Sequence, residues 1–161
     1  MTQGKIKFIY PALIFSILLL ASCNRDVLYT DSVTIPENQW LLDFNPEFSA
    51  EINDTLSNCD LLFTIRTSSS YPFRNIFLFV TTTSPIGASI TDTLEYMLAD
   101  EKGKWFGKGL GELHELTLSY KPNIYFPLKG TYNFKIQHGM RVEDLNGVYD
   151  IGMRIVKTKN N

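Results

Sequence analysis

From Trp40 onward, apolar and polar positions alternate along the chain with a period of two. In "YNFKIQH" the residues Tyr132, Phe134 and Ile136 take one side and Asn133, Lys135 and Gln137 the other. In "YDIGMRI" Tyr149, Ile151, Met153 and Ile155 alternate with Asp150, Gly152 and Arg154. Successive side chains of a strand point to opposite faces, so both segments are predicted as half-buried strands. The pattern recurs in 59–66 (Cys59, Leu61, Phe63, Ile65), in 93–99 (Leu94, Tyr96, Leu98) and in 115–120 (Leu116, Leu118, Tyr120). "NIFLFV" differs, because Ile76, Leu78 and Val80 lie on one face and Phe77 and Phe79 on the other, which predicts a central strand. "WLLDF" and "EFSAEI", separated by Asn45-Pro46, supply two shorter strands, and "RTSSSYPFR", "TTTSPIGAS" and "KPNIYFPLKG" carry the Ser, Pro and Gly of connections. About eight strands at spacings of roughly ten to fifteen residues, with no internal repeat and no helical period after residue 22, predict an all-β, antiparallel β-sandwich. A lipocalin-like barrel remains open, since strand count does not decide closure.

The first 23 residues, "MTQGKIKFIYPALIFSILLLASC", follow a different pattern. Lys5 and Lys7 precede an apolar run of roughly fourteen residues, too short to span a hydrocarbon core of about 30 Å but right for a secretory signal. Leu20-Ala21-Ser22-Cys23 reads as a bacterial lipobox. The Cys23 sulfur would accept a diacylglyceryl group, the new N-terminus would be acylated, and several acyl chains on one residue would anchor the protein stably where one would not. The expected organisation is a cleaved lipoprotein signal peptide at 1–22, a lipid-anchored tether with one edge strand at 23–38, and a single β-sandwich domain at 39–161.

Cleavage changes the charge balance. Loss of the two signal lysines leaves 13 basic residues against 17 acidic ones over about 139 residues, a formal charge of −4. Nucleic-acid binders are normally strongly basic, so that class is disfavoured. Cys59 is the one thiol left after acylation, so no intrachain disulfide can form; it reads as a small buried hydrophobe, with an intermolecular bridge or reactive thiol as the alternative.

The segment "ADEKGKWFGKGLGELHE", 99–115, sets four glycines around Trp105-Phe106 and invites comparison with a phosphate-binding loop. Such a loop needs a following helix and a Gly-Lys-Ser/Thr end, and this one offers Gly107-Lys108-Gly109 between two strand patterns. Nucleotide binding is therefore excluded; "DEKGK" reads as a hairpin turn, and Gly107, Gly109 and Gly111 as bulge or close-approach positions. His114 lies between Glu112 and Glu115, but it shares the parity of Leu116 and Leu118 and so ends an apolar face, as His138 ends the Tyr132-Phe134-Ile136 face. No metal site, cofactor or catalytic residue is expected: no serine sits in a nucleophile elbow, Cys59 has no partner base, and Asp92, Glu95, Asp100 and Glu101 read as outward or turn positions.

Five stretches together resemble a family: "YPFRNIFLFV" (71–80), "DTLEYMLAD" (92–100), "GKWFGKGLGELHE" (103–115), "GTYNFKIQHGMR" (130–141) and "LNGVYDIGMRI" (145–155) are similar to the gliding-motility lipoprotein H family (GldH) of Bacteroidota. The resemblance implies a lipoprotein of the cell envelope needed for gliding over surfaces, without catalytic residues to carry over. It also implies a broader envelope role, since members occur in Bacteroidota that do not glide. The expected role is non-catalytic: a tethered component that binds an envelope protein. Its candidate contacts are Trp105 and Phe106, framed by Lys104 and Lys108 among glycines that leave the indole unshielded. A carbohydrate-binding module is the alternative, since 13% aromatic content supplies rings for stacking on sugars. A coplanar aromatic row would favour sugar, and a mixed apolar patch a protein. Trp40 opens an apolar run and is expected in the core; the exposure of Trp105 stays open. After Cys23 come Asn24-Arg25-Asp26, without the acidic run that often marks surface-exposed lipoproteins, so the periplasmic side of the outer membrane is expected.

Overall fold

The alternating rows become two facing sheets in the computed structural model, which describes residues 26–159. The leader, the lipobox with Cys23, and Asn24-Arg25 lie outside the described residues. Eleven strands follow in chain order: β1 (Val27–Thr34), β2 (Gln39–Leu41), β3 (Glu47–Ile52), β4 (Cys59–Ser68), β5 (Asn75–Thr83), β6 (Ser89–Met97), β7 (Lys108–Leu110), β8 (Leu113–Ile124), β9 (Gly130–His138), β10 (Asp144–Asn146) and β11 (Val148–Lys157). Sheet I has the order β1-β11-β4-β8-β7, sheet II the order β3-β9-β5-β6, and β2 pairs with β10 in a separate ribbon. Every pairing is antiparallel. Among the described residues no ladder joins the two large sheets, so the arrangement is sandwich-like rather than a closed barrel.

Each long strand sits where its alternation placed it, except that a register shift between Val148 and Asp150 takes Tyr149 out of the core row and puts Val148 there instead. The inward row of β4 is Cys59, Leu61, Phe63 and Ile65, all fully buried, and it faces Ile76, Leu78 and Val80 of β5 and Tyr132, Phe134 and Ile136 of β9 within one core cluster. Trp40 is also fully buried, its indole N–H donating to the Phe44 carbonyl at 2.8 Å. Cys59 is buried as well, which rules out an exposed intermolecular bridge, and burial pushes its thiol pKa up. β5 is an interior strand between β9 and β6, as its two apolar faces implied. Its second face, however, has no layer over it: Phe77 is half-buried and Phe79 exposed.

Where β8 faces the free edge of sheet II, polar groups close the sandwich. The Tyr120 ring stacks on Phe63 (centroids 5.0 Å apart), while its hydroxyl donates to Asp92 on β6 at 2.7 Å and lies 3.2 Å from the Thr82 hydroxyl on β5. Lys121 pairs with the same carboxylate at 2.7 Å, and the Tyr96 hydroxyl donates to the Ser119 carbonyl at 2.8 Å. The Lys121 ammonium and the Tyr120 hydroxyl hold the Asp92 carboxyl below its ordinary pKa, and burial pushes Tyr96 up to about 12.

His138 ends the inward row of β9, fully buried and edge-on to Trp40 at 5.6 Å. Its ring nitrogens point toward the backbone of Trp40 and Glu143 but reach no hydrogen-bonding geometry, and burial outweighs those contacts, lowering its pKa from 6.5. A base whose pKa is depressed by folding is neutral in the fold but still takes up a proton near 6.5 when unfolded. Its stabilising contribution is thus complete above pH 6.5 and is lost as pH falls through the folded value. Thermal unfolding followed from pH 7.5 to 5 should show stability falling below pH 6.5, by up to about 1.4 kcal/mol per pH unit from this one proton, and His138→Leu should flatten that slope. An unchanged slope in the variant would assign the effect to other groups.

Candidate functional site

In an antiparallel sandwich successive connections alternate between two ends. One end gathers the start of β1, the β3–β4 loop, the β5–β6 hairpin and the β8–β9 loop. The other gathers the β4–β5 loop, the glycine-rich segment before β8 and the β9–β10 loop. The candidate residues all lie at this second end, away from the point where the chain enters the described domain.

Here the outward face of β5 and two loops enclose an apolar groove of about 460 Å³, lined by Phe73, Phe77, Gly139, Met140, Arg141 and Val142. Gly139 makes the groove possible. Its N–H donates to the Phe77 carbonyl at 2.7 Å, and a Cβ there would stand 3.0 Å from the Phe79 ring and 3.2 Å from the Phe77 Cβ. Glycine lets the chain lie flat on two rings, and the next residue brings its Met140 Sδ to 3.3 Å from the Phe77 N–H. One cation, Arg141, stands in an otherwise apolar lining. Phe79 and Met97, 39% and 41% exposed, extend the apolar surface along the same sheet face.

Trp105 is half-buried, not free. Its indole stacks on His114 (4.8 Å, 13° between planes) and meets Tyr71 edge-on at 6.2 Å; Tyr71 in turn meets Phe73 at 6.0 Å. A chain of rings thus leads from His114 to the groove wall. Phe106 follows, before β7 begins, and is 57% exposed. Lys104 and Lys108 are exposed, but neither lies over the indole; among the described residues the one cation over a ring is Lys121 on Tyr120.

The glycines around this pair serve the ladder. Asp100 closes the turn, its Oδ1 accepting from the Lys102 and Lys104 amides at 2.8 and 2.9 Å, so "DEKGK" is a turn as expected. A Cβ at Gly107 would stand 2.3 Å from the Glu115 carbonyl oxygen, and one at Gly109 would stand 2.6 Å from that of Leu113. These are close-approach positions of β7 against β8, and they leave the indole shielded by His114 instead of bare.

His114 lies within 3.1 Å of the Ser69 hydroxyl through Nε2, a pair that sequence reading did not anticipate. Its other ring nitrogen faces the backbone at Gly109, where an orienting carboxylate would have to sit to set the tautomer of a hydrolase histidine. Glu115 lies on the opposite face of β8, and Glu112 lends its carbonyl, not its carboxylate, to Ser69. The triplet Glu112, His114, Glu115 therefore does not converge, and among the described residues no three His, Cys, Asp or Glu side chains could hold a metal ion. A broader hollow of about 600 Å³ between Leu41, Asp43, Asn45 and Gln137 has Glu143 and Asp144 on its wall and no base.

The groove was missed in the sequence because its walls come from residues more than sixty positions apart. The available signal was the pair of apolar residues, Met140 and Val142, in a segment that follows a strand and should otherwise be polar.

Comparison with known proteins agrees with the resemblance. Residues 27–155 match the family model described as GldH lipoprotein. A protein of Christiangramia forsetii named gliding motility lipoprotein GldH homolog is 35% identical over 154 residues, covering 91% of this chain and 94% of its own. The gliding motility lipoprotein GldH of Flavobacterium johnsoniae is 31% identical over 150 residues, covering 89% and 92% respectively.

The two neighbouring aromatics should respond differently to truncation. Trp105→Ala removes a half-buried ring from between His114 and Tyr71 and should cost about 2 kcal/mol, below the range for a fully buried tryptophan. Phe106→Ala should stay within about 0.5 kcal/mol. Urea unfolding of both variants checks this; equal losses would mean that Phe106 is also a packing residue.

Proposed function

Because the chain belongs to the GldH lipoprotein family, we propose that it is a non-catalytic lipoprotein of a motility or envelope machinery, tethered through Cys23 and binding a protein at the end of its sandwich remote from the tether. The observation that carries the binding role is the apolar groove of Phe73, Phe77, Met140 and Val142, at the same end of the sandwich as exposed Phe106. Sugar modules stack their ligands on rows of exposed rings. The exposed rings here are scattered, with Phe106 at one end and Tyr125 at the other, while the groove mixes aromatic, thioether and aliphatic walls around one arginine. That mixture favours a protein segment with an apolar anchor and an acidic neighbour for Arg141. Trp105 supports the wall through Tyr71 and Phe73, Phe106 supplies an accessible ring, and exposed Lys104 and Lys108 lend positive charge to the same end.

The names of the relatives point to gliding movement as the process served. The absence of an acidic run after Cys23 favours the periplasmic side of the outer membrane.

Cys23→Ser should abolish incorporation of labelled fatty acid and release the protein from the membrane fraction; continued labelling would remove the anchor from this reading. For the partner, photocrosslinking side chains placed at Phe106 and Met140 in intact cells should capture a discrete protein that one at exposed Thr117, on the outer face of sheet I, does not. Phe106→Asp should weaken that association about thirtyfold, the cost of losing an anchor worth roughly 2 kcal/mol, with the melting temperature unchanged. Identical adducts from all three positions would contradict the site.

A further inference from the structure

The end of the sandwich where the chain enters carries a second set of exposed apolar residues that the family reading does not use. Lys157 donates its amide to the Asp26 carbonyl at 2.7 Å and its ammonium to Asp54 at 2.8 Å and Ser57 at 3.2 Å. Asn58 in turn donates to Asn123 at 2.9 Å, just before Tyr125, and Pro85 of the β5–β6 hairpin packs against Gly130. All these connections therefore share one end of the sandwich with the entry point. Their tips are apolar: Leu56 is 92% exposed, Ile86 77% and Tyr125 62%, the three most exposed large hydrophobic residues among those described, and Leu128 lies on the same loop as Tyr125.

The tips are held outward by structure. The Asp54 carboxylate accepts from the Leu56 and Ser57 amides, both at 3.0 Å, and so closes the turn that presents Leu56. Ser84 and Ala88 pair across the hairpin at 2.8 Å and leave Ile86 at its apex. The Leu128 amide donates to the Tyr132 hydroxyl at 3.3 Å. Backbone fixed in this way loses little further freedom when its apex is buried.

We propose that this end rests on the lipid bilayer, with Leu56, Ile86, Tyr125 and Leu128 seated at the headgroup–acyl boundary. The inference depends on acylation of Cys23, and chain length then keeps the entry end close to the bilayer. Only three peptide steps separate Cys23 from Asp26, a span of at most about 11 Å, so the entry end lies at the membrane whatever the partner does. Charge agrees. The three connections 53–58, 84–88 and 125–129 contain one acid, Asp54, already paired with Lys157, and one base, Lys129. The opposite end carries six acids in its connections, Glu37, Asp43, Asp100, Glu101, Glu112 and Glu143, and four bases, Arg74, Lys102, Lys104 and Arg141. Apolar tips on loops whose one acid is paired, with Asp26 as the further acid at the entry point, suit the boundary of a bilayer.

The test uses the full acylated chain reconstituted in phosphatidylethanolamine–phosphatidylglycerol vesicles. Cys59 is buried and Cys23 occupied, so Leu56→Cys, Ile86→Cys and, as a control, Phe106→Cys each offer a single accessible thiol for an environment-sensitive nitrobenzoxadiazole label. Lipids brominated on the acyl chain should quench labels at 56 and 86 about twofold, as expected for shallow insertion, and leave the label at 106 unaffected. If the protein floats with the vesicles but all three labels resist quenching, the resting contact is overturned while the anchor stands. If it does not float, the anchor and the contact fall together. Protection of the thiol at 56 from an impermeant maleimide in native envelopes but not in pure lipid would assign this end to a protein partner instead, and would also overturn the proposal.

Discussion

The molecule depends on burying two inward rows of side chains against each other. Neither sheet is covered on both faces, so each must lay its apolar row on the other, and Phe63, Phe134, Leu78 and Ile151 become one core because the strands alternate in step. A slip of one residue in β4 would send Phe63 and Ile65 to solvent and turn Thr64 and Arg66 inward. Arg66 would suffer most, since its guanidinium reaches Asp150 across the outer face with a 2.6 Å bond from Nε. Register, core and outer ion pair are therefore fixed together.

Antiparallel packing also gives the domain two unlike ends. Every hairpin that starts at one end returns to it, so chemistry placed in alternate connections is segregated without any further device. The entry end gathers apolar tips on hydrogen-bonded turns, and the far end gathers charged loops around a groove built on the uncovered face of β5. Between them the Tyr120, Asp92 and Lys121 group joins β8 to the free edge of sheet II, so the two ends belong to one rigid body.

The long strands were legible because alternation over six or more residues has no competing explanation. Positions 59–66, 132–138 and 149–155 were read from local pattern alone, and Trp40 was placed in the core by the apolar run it opens. Strands β7 and β10 were not legible: three residues contain no period, and they form because Gly109 and Leu145 meet partners supplied by distant strands. Trp105 could not be decided for a related reason, since its burial depends on His114 arriving beneath it from the next strand. Phe77 and Phe79 were read correctly as the second face of an interior strand, yet nothing local told that this face stays open. The apolar residues of "SPIGA" and "YFPLK" were passed over because Ser, Pro and Gly mark a connection without saying what its apex touches.

One further consequence concerns mechanical load. β1 starts next to the entry point, runs toward the far end, and is held by β11 from Val27 to Thr34, with one irregularity between Val27 and Tyr29. A pull on the entry point away from the far end therefore acts along the axis of β1. Its hydrogen bonds to β11 lie across that axis, so they share the strain in shear instead of opening one after another. Survival under traction follows the rate of rupture more than equilibrium stability. In that geometry the edge strand, which contributes little to the core, sets how much force the whole domain can transmit.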